Sequence, residues 1–458
     1  MTNALHRRNH PSAPSAPSAI ASLVLAAGLT APAAAGGGDL IVEFPDPALF
    51  FQNTTFAIEG DAGFVPSFDE DVLWSFSLTT GELIDRDGLA LAGNASDPFL
   101  FADHRLAIPG FFPGQGVFVA DVSDPAHLTA LGVIDFPATT NIQGQNIEID
   151  DDGVTGYVAG FPDDTLYAFD VVTLTRLDAL PLPGNPDRIK RAGDRVAMVD
   201  TANGRILVAD VSSPRKLALA GIIELPGVNT FGSNDNIVFA GDGRTGFVST
   251  NERVVYAFDV LTLELTDPDG FVIGTQLSGD HLAIHGNTLA CLWSRGLAFL
   301  DVSDPTNLTL IADAAFGEVV APQGSATVAF SGDGTRAVTS VVFPGHRVYA
   351  FEVETGAQLA SSPLTVSEQP NYLTVFGRDR IGVICSGVDA DNIWLIDSVL
   401  PAGCVADLDG SGDVGFTDLL QMLARWGVCV DCPQDLDGSG DVGFIDLLTL
   451  LAAWGPCR

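Results

Sequence analysis

Positive charge is scarce in this sequence. Lysine and arginine together number 21 against 58 aspartates and glutamates, which gives a formal net charge of −37. The lysines are limited to Lys190 and Lys216. So acidic a chain is repelled by phosphate backbones and anionic lipid headgroups, which disfavours nucleic acid and membrane surfaces as partners.

Long apolar runs are also missing, apart from one near the start. Arg7 and Arg8 precede an Ala/Leu-rich core at 20–29, and Ala33-Ala34-Ala35 offers a small-residue cleavage site. That core is too short to span a bilayer and has the layout of a secretory signal. We therefore expect residues 1–35 to be a signal peptide and the mature protein to be secreted or held at the cell surface, without a membrane span.

Catalytic motifs are absent as well. Five histidines follow residue 35, and the chain has no G-x-S-x-G elbow, phosphate loop or H-E-x-x-H sequence. His281 and His285, with Asp280 beside them, could hold a metal, but a third ligand at suitable spacing is missing. Because a fold can assemble an active site from residues that are distant in sequence, the question of an enzyme stays open.

What the sequence has, from residue 40 to 400, is a succession of short β-rich segments broken by Gly, Asp and Pro, without helical periodicity. One segment type recurs eight times, apolar and nearly always ending in an acid, at spacings of 40 to 51 residues. That spacing suits one four-stranded propeller blade. The closing residues of the eight segments are Ser77, Asp121, Asp170, Asp210, Asp259, Asp301, Glu352 and Asp397.

The turns that follow the eight segments alternate between two sequence types, one of them mostly VSDP or VSSP. Two-blade units therefore recur at 93, 89 and 93 residues. Four pairs predict a mainly β fold with an eight-bladed propeller over residues 36–400; a seven-bladed ring is the alternative. The region resembles the YVTN-type and LVIVD-type bacterial propeller repeats. We interpret the closing acids as turn formers that accept backbone N–H groups, and we expect the strand at 40–44 to complete the last blade.

Residues 401–458 contain one segment written twice. DLDGSGDVGFTD at 407–418 returns as DLDGSGDVGFID at 435–446, and each copy runs into an apolar helical pattern that ends in Trp-Gly. A twelve-residue loop of this kind can surround Ca²⁺ with oxygen ligands. The predicted ligands for two ions are Asp407, Asp409, Ser411, Asp413 and Asp418 in the first loop, and Asp435, Asp437, Ser439, Asp441 and Asp446 in the second.

These loops resemble the type I dockerin, a small, all-α calcium-binding module that attaches exported proteins to cohesin-bearing scaffolds. Two positions depart from the family: Ser411 and Ser439 replace an aspartate, which should weaken calcium binding, and Gly415 and Gly443 replace a polar residue. The resemblance implies a cohesin-like partner that contacts Phe416, Thr417, Phe444 and Ile445. We also expect one apolar stripe per helix to pack against its twin, formed by Phe416, Leu419, Leu420, Leu423 and Trp426 in the first and by Phe444, Leu447, Leu448, Leu451 and Trp454 in the second.

The six cysteines fall into two groups. Cys291 and Cys385 lie in apolar strands and are expected to be buried free thiols, whereas Cys404, Cys429, Cys432 and Cys457 all belong to the repeated segment. A zinc site is possible for the four, although an exported protein favours disulfides. The sequence leaves three pairings open; the resemblance to dockerins, whose termini meet, implies Cys404–Cys457 and Cys429–Cys432.

The function favoured by these features is non-catalytic: an exported protein whose propeller recognises a polysaccharide or protein ligand and whose calcium module provides a docking handle. The alternative is a polysaccharide-degrading enzyme, a glycoside hydrolase or lyase, because dockerins most often accompany such enzymes.

Overall fold

The computed structural model describes the following residues: 39–44, 55–67, 71–91, 93–111, 116–137, 142, 147–160, 163–228, 237–273, 281–293, 296–316, 327–342, 345–366, 369–376, 380–386, 392–397, 399, 406–408, 413–429, 432–436 and 441–456. The predicted signal peptide at 1–35 lies outside them.

The strands between residues 40 and 396 form eight sheets among the described residues, which confirms the predicted eight-bladed propeller and excludes seven blades. The first half contains β1 (Leu40–Glu43), β2 (Ala57–Glu59), β3 (Ala62–Ser67), β4 (Val72–Ser77), β5 (Leu83–Ala90), β6 (Asn94–Ala95), β7 (Phe99–Phe101), β8 (Arg105–Phe111), β9 (Gly116–Asp121), β10 (Thr129–Asp135), β11 (Ile147–Ile149), β12 (Thr155–Gly160), β13 (Thr165–Asp170), β14 (Thr175–Pro181), β15 (Pro186–Ala192), β16 (Arg195–Asp200), β17 (Arg205–Asp210) and β18 (Ala218–Glu224).

The second half continues with β19 (Ile237–Phe239), β20 (Thr245–Ser249), β21 (Val254–Asp259), β22 (Glu264–Val272), β23 (Leu282–His285), β24 (Thr288–Trp293), β25 (Gly296–Asp301), β26 (Thr309–Ala315), β27 (Val328–Phe330), β28 (Arg336–Val341), β29 (Arg347–Glu352), β30 (Leu364–Thr365), β31 (Gln369–Phe376), β32 (Arg380–Ser386) and β33 (Asn392–Ile396). Blade 1 is β2–β5, and blades 2 to 7 follow in chain order as antiparallel sheets.

The core lies between neighbouring blades. The third strand of each blade is the repeated segment of the sequence, and its residues are almost all buried, because both faces of the sheet are covered by the next blades. Phe101 of blade 2, for example, packs with Val158 and Phe169 of blade 3 in one cluster. Each such aromatic or aliphatic side chain contributes roughly 1.5–3 kcal/mol on burial, so the ring depends on the contacts between its blades.

The last blade is completed by the first strand of the chain. β1 pairs antiparallel with β33, with Leu40 opposite Leu395, so the predicted closure is confirmed. The Asp39 carboxylate accepts the N–H of Asp397, 358 residues away in sequence. Arg380 donates to the carbonyl of Leu78 in blade 1. Blade 8 therefore contains the first strand of the chain, and the Arg380 side chain connects this blade to blade 1.

In blades 2 and 4, a glycine beside the bulge of the outer strand makes room for a turn of the next, odd blade. The outer strands of blades 2 and 4 carry a bulge at Gly132 and Gly221. The next odd blade places a turn leucine of positive φ on that glycine: a Cβ at Gly132 would lie 2.8 Å from Leu174 Cδ1, and one at Gly221 would lie 2.3 Å from Leu263 Cδ1. Small residues at the bulge thus admit the turn of the next blade.

Five of the closing acids form turns, as predicted. The Asp121 carboxylate accepts the N–H of Ser123 at 2.9 Å, and Asp301 accepts that of Ser303 at 2.9 Å. A hydrogen bond from the Ser303 side chain lowers the pKa of Asp301, because it stabilises the ionised form. Asp170, Asp210 and Asp259 accept backbone N–H groups in the same manner.

The C-terminal repeats form two nine-residue helices, α1 (Phe416–Ala424) and α2 (Phe444–Ala452), with four two-residue strands. β34 (Asp413–Val414) pairs with β37 (Gly455–Pro456), and β35 (Gly427–Val428) pairs with β36 (Asp441–Val442). The start of each helix therefore lies beside the end of the other. Hence the helices are antiparallel, and an approximate two-fold axis relates the two copies.

Candidate metal centre in the C-terminal repeats

The acid at position 12 of each loop is also the third residue of a helix. Asp418 is 1% exposed, and its two carboxylate oxygens accept the N–H groups of Gly415 at 2.7 Å and Leu408 at 2.6 Å. A carboxylate in the first turn satisfies amides that have no partner within the helix and interacts favourably with the helix dipole. The same hydrogen bonds hold Asp418 against both ends of its loop.

The second loop repeats this arrangement. Asp446 is fully buried, and its Oδ2 accepts the N–H of Gly443 at 2.6 Å. Two loops that differ only at position 11, Thr417 against Ile445, thus place equivalent acids in similar surroundings. Such burial is costly for an anion unless hydrogen bonds or a cation compensate it, and a calcium ion is one cation that would do so.

Positions 7 and 8 of each loop are held by the other copy. Asp413 and Val414 pair with Pro456 and Gly455, and the corresponding residues of the second loop pair with β35. Val414 and Val442 are buried in the small core of the segment. The backbone at Asp413 and Asp441, whose carbonyls are predicted ligands, is therefore fixed by pairing between the repeats.

The predicted ligand sets are described only in part. Asp407 and Asp435 at position 1 are partly buried, whereas Asp409, Ser411, Asp437 and Ser439 lie outside the described residues. No group of three metal-ligating side chains occurs within the part of the chain that the structure describes. The described donors are carboxylate and carbonyl oxygens, which are the donors that Ca²⁺ prefers, so they fit the ion.

The predicted partner residues are at the surface. Phe416, Thr417, Phe444 and Ile445 are all exposed, which is the position that contact with a partner requires.

The expectation that each apolar stripe packs on its twin is wrong. Phe416, Leu420, Leu423 and Trp426 of the first copy are exposed, and so are Phe444, Leu448, Leu451 and Trp454 of the second; Leu419 and Leu447 are partly buried. The helices instead bury Met422 and Leu450 in the core of the segment. The physical reason is the acid at the third helical position: it must point back into its loop, and this rotation buries the residue four positions later and turns the stripe outward.

Met422 and Leu450 were therefore missed as core residues, although a signal was present. Each follows the position-12 acid by four residues, the spacing that places two helical side chains on one face. Hydrophobicity alone favoured the wider stripe, because it contains more and larger apolar residues.

The cysteines agree with the expectations where they are described. Cys429 and Cys432 form a disulfide, and Cys291 and Cys385 are buried and take part in no disulfide. Burial raises the pKa of the Cys291 thiol, which makes it a poor nucleophile. Cys404 and Cys457 lie outside the described residues, so their pairing stays a prediction.

The propeller histidines lie in unlike surroundings. His281 is buried just before β23, whereas His285 is exposed at the end of that strand, with its ring 5.9 Å from that of Phe330. Asp280 lies outside the described residues.

One inner-strand carboxylate of the propeller is engaged in joining two blades. Glu148 of β11 lies 3.2 Å from Lys190 Nζ and accepts the N–H of Arg191 at 3.1 Å, both on β15. Arg191 in turn contacts Asp150 at 2.7 Å and Asp151 at 2.8 Å. Three carboxylates and two cationic side chains largely neutralise one another here, which favours a structural role at the junction of blades 3 and 4.

Among the described residues, no helix has the length and apolar character needed to cross a bilayer.

Comparison with known proteins gives the fold and nothing finer. No family model and no curated protein sequence matches the chain. A functionally unknown protein from Desulfotomaculum acetoxidans DSM 771 is similar in structure, with a TM-score of 0.50 and 13% identity over 66% of this chain and 95% of that chain. A chain of the mitotic checkpoint complex (TM-score 0.48, 13% identity, 65% and 86% covered) and the Myceliophteria thermophila Cps50 (Swd1) β-propeller domain (0.47, 14%, 65% and 94%) are also similar.

Proposed function

We propose that this chain is an exported docking protein, in which the propeller recognises a ligand and the C-terminal repeats bind two calcium ions and attach to a cohesin-like partner. The observation that carries the proposal is the pairing of features in each repeat. The acid that would bind calcium is buried at the start of a helix, and the same helix exposes a row of large apolar side chains.

Calcium would connect these two features. Asp407 and Asp418 approach one another across the first loop, since the Leu408 N–H is bound by the Asp418 carboxylate. Their like charges oppose that closure, and a divalent cation reverses the sign of the interaction. The rotation of α1, and with it the exposure of its apolar row, would then depend on the ion.

Calorimetric titration of the full chain with CaCl₂ tests the calcium step. We expect uptake of two ions, and a loss of helical circular dichroism when a chelator is added after reduction of the disulfides. Titration with MgCl₂ is the control, because Mg²⁺ is smaller and demands a stricter octahedral shell. No uptake of calcium would refute this part of the proposal.

The ligand of the propeller is tested separately. The full chain in calcium is passed over immobilised polysaccharides, and both retained protein and released sugar are measured. Retention without release supports recognition, whereas release of sugar would favour the alternative, a polysaccharide-degrading enzyme. A screen that gives neither would direct the search to protein ligands.

A further inference from the structure

The two helices of the C-terminal repeats expose matching apolar rows. Phe416 and Phe444 are 68% and 66% exposed, and Trp426 and Trp454 are both 49% exposed. The apolar face is defined here by its nine large exposed residues: Phe416, Leu420, Leu423, Trp426, Phe444, Ile445, Leu448, Leu451 and Trp454. So many large apolar side chains in so short a segment are unusual for a surface that stays in water.

The rows lie away from the core of the segment. Each helix buries one apolar side chain fully in that core, with the partly buried Leu419 or Leu447 beside it, and the loops contribute the buried Ala406, Val414, Leu436 and Val442. The helices therefore lie over a layer of loops. Leu420 follows Asp418 by two residues, which places it roughly 160° away from the buried acid, on the side opposite the loops.

The face is also uncharged. The acids of α1 and α2 are limited to Asp418 and Asp446, which are buried, and neither helix contains a base. In a chain of net charge −37, such a face is a place where two copies can meet without opposing carboxylates. An apolar face complements another of its own kind.

Area and symmetry favour a second copy as the occupant. Nine side chains that are each about half exposed would bury on the order of 800 Å² per copy, the area of a standard interface. Because the two-fold relation between the repeats makes the two halves alike, the face is self-complementary, as an isologous contact requires.

We propose that two copies of this chain associate in calcium through the apolar face, so that the two helix pairs stack into a four-helix arrangement. The proposal rests on the calcium-dependent arrangement of the helices proposed above. It also adds a form of regulation, since the dimer covers Phe416 and Phe444 and so excludes a cohesin-like partner from the same surface.

Sedimentation velocity of the full chain in calcium, over a range of concentration, tests the proposal. We expect a dimer that tightens between about 0.1 M and about 1 M NaCl, because the Debye length falls from about 10 Å to about 3 Å and screens the repulsion between acidic propellers. Leu420→Glu with Leu448→Glu should weaken the dimer by roughly 100-fold or more, since two buried leucines are lost and charges enter the interface.

Two matched variants separate the causes. Gln421→Glu with Thr449→Glu adds the same charge to the same helices on another side, and should leave the dimer intact. Leu423→Ser with Leu451→Ser removes apolar surface without charge, and should weaken the dimer. Calcium uptake, measured by calorimetry, verifies that each variant is folded.

Three results would overturn the inference: a wild-type chain that binds calcium and stays monomeric at every concentration, a dimer that the leucine variants leave unchanged, and a monomer that floats with neutral phosphatidylcholine vesicles through these leucines. The two failures are distinguishable. A chain that binds no calcium in the calorimeter refutes the proposed function and, with it, a calcium-dependent dimer, whereas a chain that binds two calcium ions and stays monomeric refutes the inference alone.

Discussion

At the residue scale, the two position-12 acids link the proposed metal site to the helices. Asp418 and Asp446 accept backbone N–H groups at the start of their helices, and each is the last residue of its twelve-residue loop. A single substitution there should therefore affect both metal binding and helix stability.

Asp418→Ala should remove one calcium ion and leave the second loop occupied. The amides of Gly415 and Leu408 would lose their acceptor, which costs about 1–3 kcal/mol for buried groups. Calorimetry should give one ion per chain in place of two, with reduced helical circular dichroism.

Asp441→Asn is the matched control, because Asp441 is exposed and position 7 provides its backbone carbonyl to the ion. It should keep two ions. An Asp418→Ala chain that still binds two ions would show that position 12 is not a ligand here.

Single residues also show the limit of what the sequence predicts. The loops and their acids follow from spacing and from the repeat. The disulfide between Cys429 and Cys432 does not, because spacing left three pairings open and only the resemblance to dockerins implied this one. The burial of Met422 does not follow from hydrophobicity, because the rotation of a short helix is set by one polar contact at its start. The apolar stripe was consequently assigned to the core when it lies at the surface.

At the scale of elements, the first strand, β1, closes the ring by completing blade 8 and packing against blade 1. Val42 of β1 is fully buried between blades 8 and 1, whereas the adjacent Glu43 is exposed. Substitutions at these two positions therefore distinguish the effect of losing the packing of β1 from the effect of any change in the strand.

Val42→Asp should lower the free energy of unfolding by more than about 3 kcal/mol, because it buries an unpaired charge. Glu43→Ala should change it by less than about 0.5 kcal/mol. Urea unfolding followed by tryptophan fluorescence measures both, since Trp74 and Trp394 lie at this junction. Equal midpoints for the two variants would mean that β1 does not hold the ring closed.

The contact between Gly221 of blade 4 and Leu263 predicts that one substitution will offset the loss of stability caused by another. Gly221→Val should clash with Leu263, since a Cβ at 221 would lie 2.3 Å from Leu263 Cδ1, and overpacking of this kind costs about 1–3 kcal/mol. Adding Leu263→Ala should recover part of that loss, as neighbouring residues are non-additive. Thermal unfolding of the single and double variants measures the coupling, and strictly additive losses would contradict the contact.

The two-fold relation of the repeats also predicts the second disulfide. It relates Cys429 to Cys457 and Cys432 to Cys404, each 28 positions apart, so the observed Cys429–Cys432 bond implies Cys404–Cys457. Digestion of the oxidised chain and mass spectrometry should recover Cys404 joined to Cys457. A peptide that joins Cys404 to Cys429 would contradict the assignment.

The sequence predicts the elements better than their partners. A repeat that is visible in the sequence predicts the number of blades and the third strand of each blade. It also predicts the closing turns and the strand that completes the last blade. The bulges at Gly132 and Gly221 do not, because a glycine in a strand has the same appearance whether a turn leucine covers it or solvent does. The pairing between β34 and β37 cannot be predicted from the sequence either, since strands of two residues are too short to show periodicity.

At the scale of the whole molecule, the closing acids make stability depend on pH. Serine side chains lower the pKa of Asp121, Asp210 and Asp301 in the folded chain. A folded pKa below the unfolded value of about 3.9 means that this stabilisation is complete above that pH and is lost as the pH falls through the folded pKa.

Replacement of the three serines should therefore flatten the acid limb of the stability curve. Ser123→Ala, Ser212→Ala and Ser303→Ala together should lower stability at pH 7 and reduce the further loss between about pH 5 and about pH 2. Urea midpoints in a chelator, which removes any calcium contribution, measure the effect. An acid limb that is unchanged in slope and position would contradict the role of the serines.

Finally, the closure of the ring constrains the order of events when the protein is made. β1 leaves the ribosome first, yet its partner β33 is among the last strands of the propeller to appear. At about 5–20 residues per second, the unpaired ends would wait tens of seconds for one another. During that interval the growing propeller is an open arc with bare strand edges, which is the form most exposed to aggregation and to chaperones. The ring can close only after β33 has been synthesised, so closure follows the synthesis of every other strand of the eight described blades.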